Sequence, residues 1–135
     1  MKKYLLDTNI YIYFLKGQFN LYQKTKKAGV ENCFVSEITI AKLKYGVENS
    51  SQNSKNRETL EKFQNQFIIL PIYNTLNIYA KEKARLKLKG KILDDFDLLI
   101  VIDATAIANN LTMVTRNISD FERLEKIELK DWTSE

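Results

Sequence analysis

The segment Tyr4-Leu5-Leu6-Asp7-Thr8-Asn9-Ile10 holds the pattern on which the fold prediction rests. Its first three residues are apolar, which indicates a short buried strand, and Asp7 ends that run. Residues 9–16 then carry apolar side chains at helical spacing and stop at Gly17, as a helix would. A buried strand that passes through a polar turn into a helix is the repeating unit of an α/β protein.

The same alternation continues along the rest of the chain. Further strands are predicted over residues 33–35, 67–70, 112–114 and 127–129. Further helices are predicted over residues 21–28, 37–48, 55–67, 74–89, 95–108 and 120–124, and a polar surface loop over 49–56. This order predicts an α/β sandwich around a mainly parallel central sheet of four to five strands, in a single domain over residues 1–135.

The composition narrows the chemistry that the chain can perform. Its 135 residues include no histidine and one cysteine, Cys33. This excludes histidine-based catalytic triads, histidine zinc sites and a disulfide framework. Chemistry must therefore rest on carboxylates, amides, hydroxyls, lysines or a bound metal. The net charge of +4 permits nucleic-acid binding but does not establish it.

The beginning of the chain and its apolar runs predict the compartment. Only three apolar residues follow Met1-Lys2-Lys3 before Asp7, so we expect no signal peptide. No apolar run approaches the ~18–20 residues that a membrane-spanning helix needs. With one cysteine, the chain is expected to be a soluble protein of a reducing compartment, most simply the cytoplasm, without a membrane partner.

Polar side chains follow apolar strands at four places, where parallel α/β folds bind their ligands. These places are residues 7–9, Ser36, residues 94–97 and residues 115–117. Each has a local explanation as a helix cap or a turn. If these residues were only caps, however, there would be no reason for all four to lie at the same edge of the sheet. Carboxylates that converge there without any histidine suit a hard divalent cation such as Mg²⁺ or Mn²⁺.

Five motifs stand in a fixed order along the chain, followed by the closing Lys130-Asp131-Trp132. They are Leu5-Leu6-Asp7-Thr8-Asn9-Ile10, Val35-Ser36 before a helix with Tyr45-Gly46, Phe96-Asp97-Leu98-Leu99-Ile100, Val114-Thr115-Arg116-Asn117 and Asp120-Phe121-Glu122-Arg123. Together they resemble PIN-domain ribonucleases, and specifically the VapC-type toxins of bacterial toxin–antitoxin pairs. The resemblance implies a PIN-like three-layer α/β/α sandwich.

The resemblance also implies an activity and its partners. It implies an endoribonuclease that uses one or two Mg²⁺ or Mn²⁺ ions to cut a structured RNA such as tRNA. It further implies a homodimer and a VapB-type antitoxin whose C-terminal segment covers a cleft. The candidate groove for that segment lies between the helices at residues 9–16 and 37–47.

Individual residues receive roles through the same resemblance. Asp7 and Asp97 match the family's acidic metal ligands directly. The family's fourth acidic position is occupied by Asn117, with Asp120 near enough to help through water. Hydroxyl and amide groups expected to orient the carboxylates and waters are those of Thr8, Asn9, Ser36 and Thr115.

One position departs from the family pattern. Lys42 stands where the family places a glutamate, on the helix after the second strand. Glu37 and Glu48 point roughly 100–140° away from it around that helix, so neither replaces the missing acid. We expect the Lys42 ammonium to lie near Asp7 or Asp97, where it would repel a divalent cation and leave the enzyme inactive or attenuated.

Two hypotheses of different class therefore stand. The first is the metal-dependent ribonuclease, and the second is a non-catalytic PIN module that binds RNA or a protein partner. Receiver and haloacid-dehalogenase domains also place an aspartate after the first strand, but they need a second acid where Thr8 and Asn9 stand here. Asp103 lies within an apolar helical segment, and we expect it to be a paired structural acid or an interface contact.

Overall fold

The computed structural model of the protein describes residues 2–90, 96–121 and 127–134, with the backbone alone at 96–100 and 120. Within these residues five strands are present: β1 (Tyr4–Leu6), β2 (Cys33–Ser36), β3 (Ile68–Leu70), β4 (Thr112–Val114) and β5 (Leu129–Lys130). The helices are α1 (Thr8–Leu15), α2 (Leu21–Ala28), α3 (Glu37–Glu48), α4 (Asn53–Gln64), α5 (Leu76–Leu88), α6 (Phe96–Ala108) and α7 (Ile118–Phe121). The alternation of strands and helices predicted from sequence is thus confirmed.

The strands form one parallel sheet in the order β3-β2-β1-β4-β5. The chain first moves outward from β1 to β2 and β3, and then returns to the other side of β1 with β4. The gap between β1 and β4 is therefore a topological switch point, where α/β sheets open a crevice for ligands. Leu6 is paired with Val114 across this gap, so Asp7 and Thr115 leave the sheet side by side.

The two faces of the sheet carry separate apolar cores because successive strand residues point to opposite sides. Leu6, Val35 and Val114 pack with α1, α2, α3 and α4 on one face. Leu5, Phe34 and Met113 pack with α5 and α6 on the other. Helices on both faces of a parallel sheet give the three-layer α/β/α sandwich, as predicted.

Two side chains at strand ends begin the helices that follow. The Asp7 carboxylate accepts a hydrogen bond from the Thr8 N–H at the start of α1. Ser36 Oγ accepts one from the Ile38 N–H at the start of α3, so this residue is the N-cap predicted from sequence. Each strand consequently turns into its helix within one residue, which places the first turns of α1 and α3 at the same edge of the sheet.

The structure corrects several predicted boundaries. The fourth helix begins at Asn53, inside the predicted loop, and ends at Gln64 rather than 67. The fifth is preceded by a 3₁₀ turn at Tyr73–Thr75 and starts only at Leu76. The last strand is Leu129–Lys130 rather than 127–129, since the register with β4 pairs Met113 with Leu129. The short seventh helix starts at Ile118, and residues 122–124 of its predicted span lie outside the described residues.

Candidate active site

The Asp7 carboxylate lies at the carboxyl edge of the sheet and is 2% exposed. Its Oδ1 accepts a hydrogen bond of 2.7 Å from the Thr8 N–H, and its Oδ2 accepts one of 2.9 Å from Thr115 Oγ1. The Asp7 N–H in turn donates to the Val114 carbonyl at 2.9 Å. Asp7 is therefore both a helix cap and a rigidly oriented acid at the switch point.

Thr115 links Asp7 to Asn117. The Thr115 hydroxyl is completely buried, donates to Asp7 and accepts a hydrogen bond of 3.0 Å from the Asn117 N–H. Thr115 Oγ1 has a single proton. Because Oγ1 accepts the hydrogen bond from the Asn117 N–H, its own proton is free to be donated to Asp7. The structure thus brings three of the sequence-predicted site residues together, and Asn117 is half-buried beside them.

The remaining predicted residues on β2 and α1 have different neighbours. Thr8 Oγ1 lies 3.0 Å from Thr39 Oγ1, and both side chains are buried. Asn9 is exposed at the opening of the groove described below. Ser36 is buried and its hydroxyl binds the first turn of α3. Sequence reasoning missed Thr39, although it precedes Lys42 by three residues and must share its helix face.

Two of the expected acids have side chains that lie outside the described residues. Asp97 is the second residue of α6, and its backbone is helical. Asp120 lies within α7. Their roles beside Asp7 stay predictions from the sequence.

Lys42 lies on α3 and is half-buried, and it lines a groove together with Thr8 and Asn9. It is thus on the side of the fold where Asp7 caps α1. No ion pair joins Lys42 to Asp7 in the described part of the chain. The expected close contact between the ammonium and this carboxylate is therefore absent, although the groove holds both the start of α1 and Lys42. The alternative contact, with Asp97, lies outside the described residues.

This groove runs between α1, α3 and α4 and has a volume of about 1160 Å³. Ile12 and Leu15 line it from α1, Leu43 and Val47 from α3, and Leu60 from α4. Helices α1 and α3 were the predicted walls, whereas the contribution of α4 was not foreseen. The groove is largely apolar and reaches the carboxyl edge at Thr8 and Asn9.

Asp103 lies away from this edge, on α6. It is completely buried, and neither carboxylate oxygen has a hydrogen-bond partner among the described residues. Burial raises the pKa of Asp103 to about 8, with a further rise from the charge of Glu82 and an opposing effect of Arg85. The prediction of a paired structural acid is therefore wrong: Glu82 and Arg85 pair with each other at 3.0 Å instead.

The donor set at the carboxyl edge suits a hard cation in its chemistry, since it consists of oxygen atoms. Asp7 presents a buried carboxylate that two hydrogen bonds hold in one orientation. Among the described residues no group of three or more acidic, histidine or cysteine side chains could hold a metal ion. Asp7 thus fits as one ligand, and Asp97 stays the second ligand predicted from the sequence.

None of the helices in the described residues combines the length and the apolar character that a membrane-spanning helix needs.

The model of the PIN domain matches residues 4–127. The chain belongs to the PIN-domain family. The ribonuclease VapC2 of Rickettsia felis is 33% identical over 132 residues, which are 96% of this PIN-domain chain and 97% of that protein. The tRNA(fMet)-specific endonuclease VapC of Salmonella typhimurium is 29% identical over 133 residues, 98% and 99% of the two chains.

A solved structure shares the fold of this PIN-domain chain along nearly its whole length. It is the crystal structure of VapBC2 from Rickettsia felis bound to a DNA fragment from its promoter, with a TM-score of 0.85 and 30% identity. The match covers 96% of this chain and 98% of that one. The resemblance to VapC-type PIN domains that the motifs indicated is confirmed.

Proposed function

We propose that this chain is a Mg²⁺- or Mn²⁺-dependent endoribonuclease toxin of a type II toxin–antitoxin module. It forms one PIN domain over residues 1–135 and acts in the cytoplasm. Its substrate is a phosphodiester bond of a structured RNA such as tRNA. A relative named for tRNA(fMet) cleavage, 29% identical to this chain, supports that substrate class.

One observation carries the proposal: the buried Asp7 carboxylate at the switch point between β1 and β4. The Thr8 N–H and the Thr115 hydroxyl hold its two oxygens in a fixed orientation. Holding an acid in this way before a ligand arrives avoids the cost of ordering it later. A helix cap needs only the bond from the Thr8 N–H. The second bond to Asp7 comes from Thr115, more than a hundred residues later in the sequence, and it therefore supports a role beyond capping.

Asp7 and Asp97 would hold the cation, with Asn117 and Asp120 beside them. When bound, such a cation lowers the pKa of a coordinated water and stabilises charge on the phosphate. Thr115 keeps the Asp7 carboxylate in position, because its hydroxyl donates to Asp7 while it accepts a hydrogen bond from the Asn117 N–H. The Thr8–Thr39 contact anchors the start of α1 to α3 below the site.

Lys42 weakens this site in our proposal. Its positive charge on the groove side of α3 opposes a divalent cation at the start of α1, where the family pattern has a negative charge. In this proposal the chain is therefore an attenuated or inactive nuclease.

Cleavage of RNA in Mn²⁺ tests the proposal. In the Lys42→Glu variant, Asp7→Asn should lower the rate of cleavage by at least about a hundredfold, because the amide cannot replace an anionic ligand. Glu31→Gln is the matched control, since Glu31 is exposed at the opposite end of β2 and should leave the rate unchanged. Cleavage products separated on a gel report the rates.

A second candidate function is a non-catalytic PIN module that binds RNA or a protein, and Lys42 is the observation that favours it. Such a module would bind RNA with a steep dependence on salt and would not cleave it. Absence of cleavage by the natural chain and by Lys42→Glu alike would contradict the nuclease and support this alternative.

The cognate partner in the proposed module is a VapB-type antitoxin. Solved neighbours are complexes named VapBC, from Rickettsia felis among others, which supports this partner class. The groove between α1, α3 and α4 is the surface that we assign to the antitoxin's C-terminal segment. Its apolar lining suits an amphipathic helix or an extended segment with apolar anchors. Its end at Thr8 and Asn9 would let the segment cover Asp7 as well.

A substitution at Gly46 tests the groove. A Cβ added there would meet no heavy atom within 4 Å, so Gly46→Glu should fold and gain roughly 0.5 kcal/mol of helix propensity. The new charge would be buried under the antitoxin and should weaken the complex about tenfold or more. Ala84→Glu, at an exposed position on α5, is the control. Calorimetric titration with the VapB-type antitoxin of the same module measures both, and equal affinities would contradict the assignment.

We also propose that the chain forms a homodimer. Sedimentation should then report a mass of about twice the 15.8 kDa of one chain. A strict monomer at micromolar concentration would contradict the dimer.

A further inference from the structure

Arg116 is an exposed cation directly beside the candidate active site. It follows Thr115, whose hydroxyl binds Asp7. Its guanidinium carbon lies 5.7 Å from the centre of the Tyr13 ring and 5.1 Å from the centre of the Phe19 ring. Nη1 is also 3.4 Å from the Tyr13 hydroxyl. Two aromatic rings from α1 and the turn after it thus hold the guanidinium in place.

This cation has no anionic partner in the described part of the protein. Arg57, by contrast, is paired with Glu48, and Arg85 is paired with Glu82. A guanidinium has five N–H donors, and the Tyr13 hydroxyl engages only Nη1 of Arg116, so donors remain for a ligand.

The turn that carries Phe19 is strained. Phe19 and Asn20 both adopt the left-handed conformation, with φ of 60° and 55°. Asparagine tolerates this conformation, whereas a bulky residue such as phenylalanine rarely adopts it. The strained backbone places the Phe19 ring edge-on against Tyr13, with centroids 5.0 Å apart, and against Arg116. Strain of this kind concentrates at ligand sites.

We propose that Arg116, held against the rings of Tyr13 and Phe19, binds a phosphate of the RNA strand next to the bond that Asp7 addresses. The inference rests on the proposed function and extends it to the substrate-binding surface. A planar guanidinium donates two parallel hydrogen bonds to a phosphate, and its fixed position sets the register of the strand. Arg116 is thus a substrate-positioning residue, and the rings of Tyr13 and Phe19 orient it.

RNA fits this surface better than the antitoxin does. Tyr13, Phe19 and Arg116 are all absent from the lining of the apolar groove assigned to the antitoxin. They lie instead at the end of β4, where a polyanion has to pass to reach Asp7. A cation without a carboxylate partner complements that polyanion.

The test measures RNA binding in the Asp7→Asn chain, which keeps the substrate intact, with a labelled tRNA(fMet) transcript as probe. Arg116→Ala should weaken binding about tenfold at about 0.1 M salt and lower the slope of log affinity against log salt by about 0.7, the value for one lost phosphate contact. Arg57→Ala is the matched arginine control and should change neither quantity, because Glu48 already neutralises Arg57.

A double substitution separates positioning by the ring from a structural effect. Phe19→Leu should weaken binding about threefold when Arg116 is present and have no effect in the Arg116→Ala background. Arg116→Lys keeps the positive charge but loses the planar guanidinium. It should therefore keep the salt slope found with Arg116 but only part of the RNA affinity.

The two proposals fail in distinguishable ways. If Lys42→Glu cleaves RNA but Arg116→Ala and Arg57→Ala bind it with equal affinity and equal slope, the inference about Arg116 is wrong and the nuclease stands. If Arg116→Ala weakens the antitoxin complex and leaves RNA binding unchanged, the surface belongs to the protein partner and the inference is also wrong. If no variant cleaves RNA but the slope still falls with Arg116→Ala, the inference holds without the nuclease.

Discussion

Replacing Lys42 by glutamate is expected to convert this chain into a markedly more active Mn²⁺-dependent ribonuclease. Lys42 lines the groove that reaches the start of α1, next to Thr8 and Asn9. Two unit charges about 8 Å apart at an effective dielectric constant of about 20 interact by about 2 kcal/mol. For a divalent cation the repulsion is about twice this size. The substitution removes it and adds an attraction. We therefore expect Mn²⁺ to bind at least about a hundredfold more tightly, which corresponds to about 2.7 kcal/mol.

The absence of an ion pair between Lys42 and Asp7 strengthens this prediction. Were the ammonium bound to Asp7, its removal would leave a buried carboxylate without its partner and would destabilise the fold. Asp7 instead receives its orienting bonds from Thr8 and Thr115, which the substitution does not touch. The variant should fold as the natural chain does and differ in metal affinity.

The experiment compares Mn²⁺ titration by calorimetry with the rate of RNA cleavage at saturating metal. Lys44→Glu is the control, since Lys44 is exposed on the same helix and points about 200° away from Lys42. Equal Mn²⁺ affinity for the two glutamate variants would show that Lys42 does not act on the metal site. Tighter Mn²⁺ binding without cleavage would show that Lys42 acts on the metal site but would contradict the nuclease.

The second large effect is expected at Asp103, in the dependence of stability on pH. The pKa of Asp103 is about 8 in the folded protein and near 3.8 when the residue is exposed. Between these two pH values the folded state holds a proton that the unfolded state has lost. Stability is therefore unaffected below about pH 4 and decreases by up to about 1.4 kcal/mol per pH unit as the pH rises towards 8.

Asp103→Asn should remove this dependence because an amide does not ionise. From pH 5 to pH 8 the free energy of unfolding of the variant, relative to that of the natural chain, should rise by up to about 4 kcal/mol. Urea unfolding at four pH values measures the difference. Asp103→Ala, which also removes the unpartnered polar atoms, should show the same loss of pH dependence. Parallel pH curves for the natural chain and both variants would contradict the raised pKa.

The local pattern of the sequence predicted most of the secondary structure. Helix α3 begins after Ser36 and ends at Glu48, as predicted, because the cap and the apolar spacing are set by residues within one or two turns. Strand β4 has its predicted bounds for the same reason. The start of α4 was missed, because Ser and Asn residues that usually form a loop here form the first turn of a helix whose apolar end packs on the core.

The location of the candidate site could be predicted from the sequence, but its hydrogen bonds could not. Parallel strands bring their carboxyl ends to one edge, so the sequence alone predicted that Asp7 and Thr115 would be neighbours there. It could not predict that the Thr115 proton is directed to Asp7. That depends on the register of β1 with β4, which is set by the packing of both sheet faces.

The sequence by itself determined the alternation of strands and helices, the absence of histidine chemistry and the place of Lys42 within a recognisable pattern of motifs. Only the tertiary structure decided that Asp103 is buried without a hydrogen-bond partner among the described residues, and that Arg116 packs against two rings of a segment about a hundred residues earlier. The physical reason is the separation in sequence between the residues that interact. Helix caps and strand patterns depend on neighbours along the chain, whereas burial, ion pairing and ring contacts depend on which distant segments the folded sheet brings together.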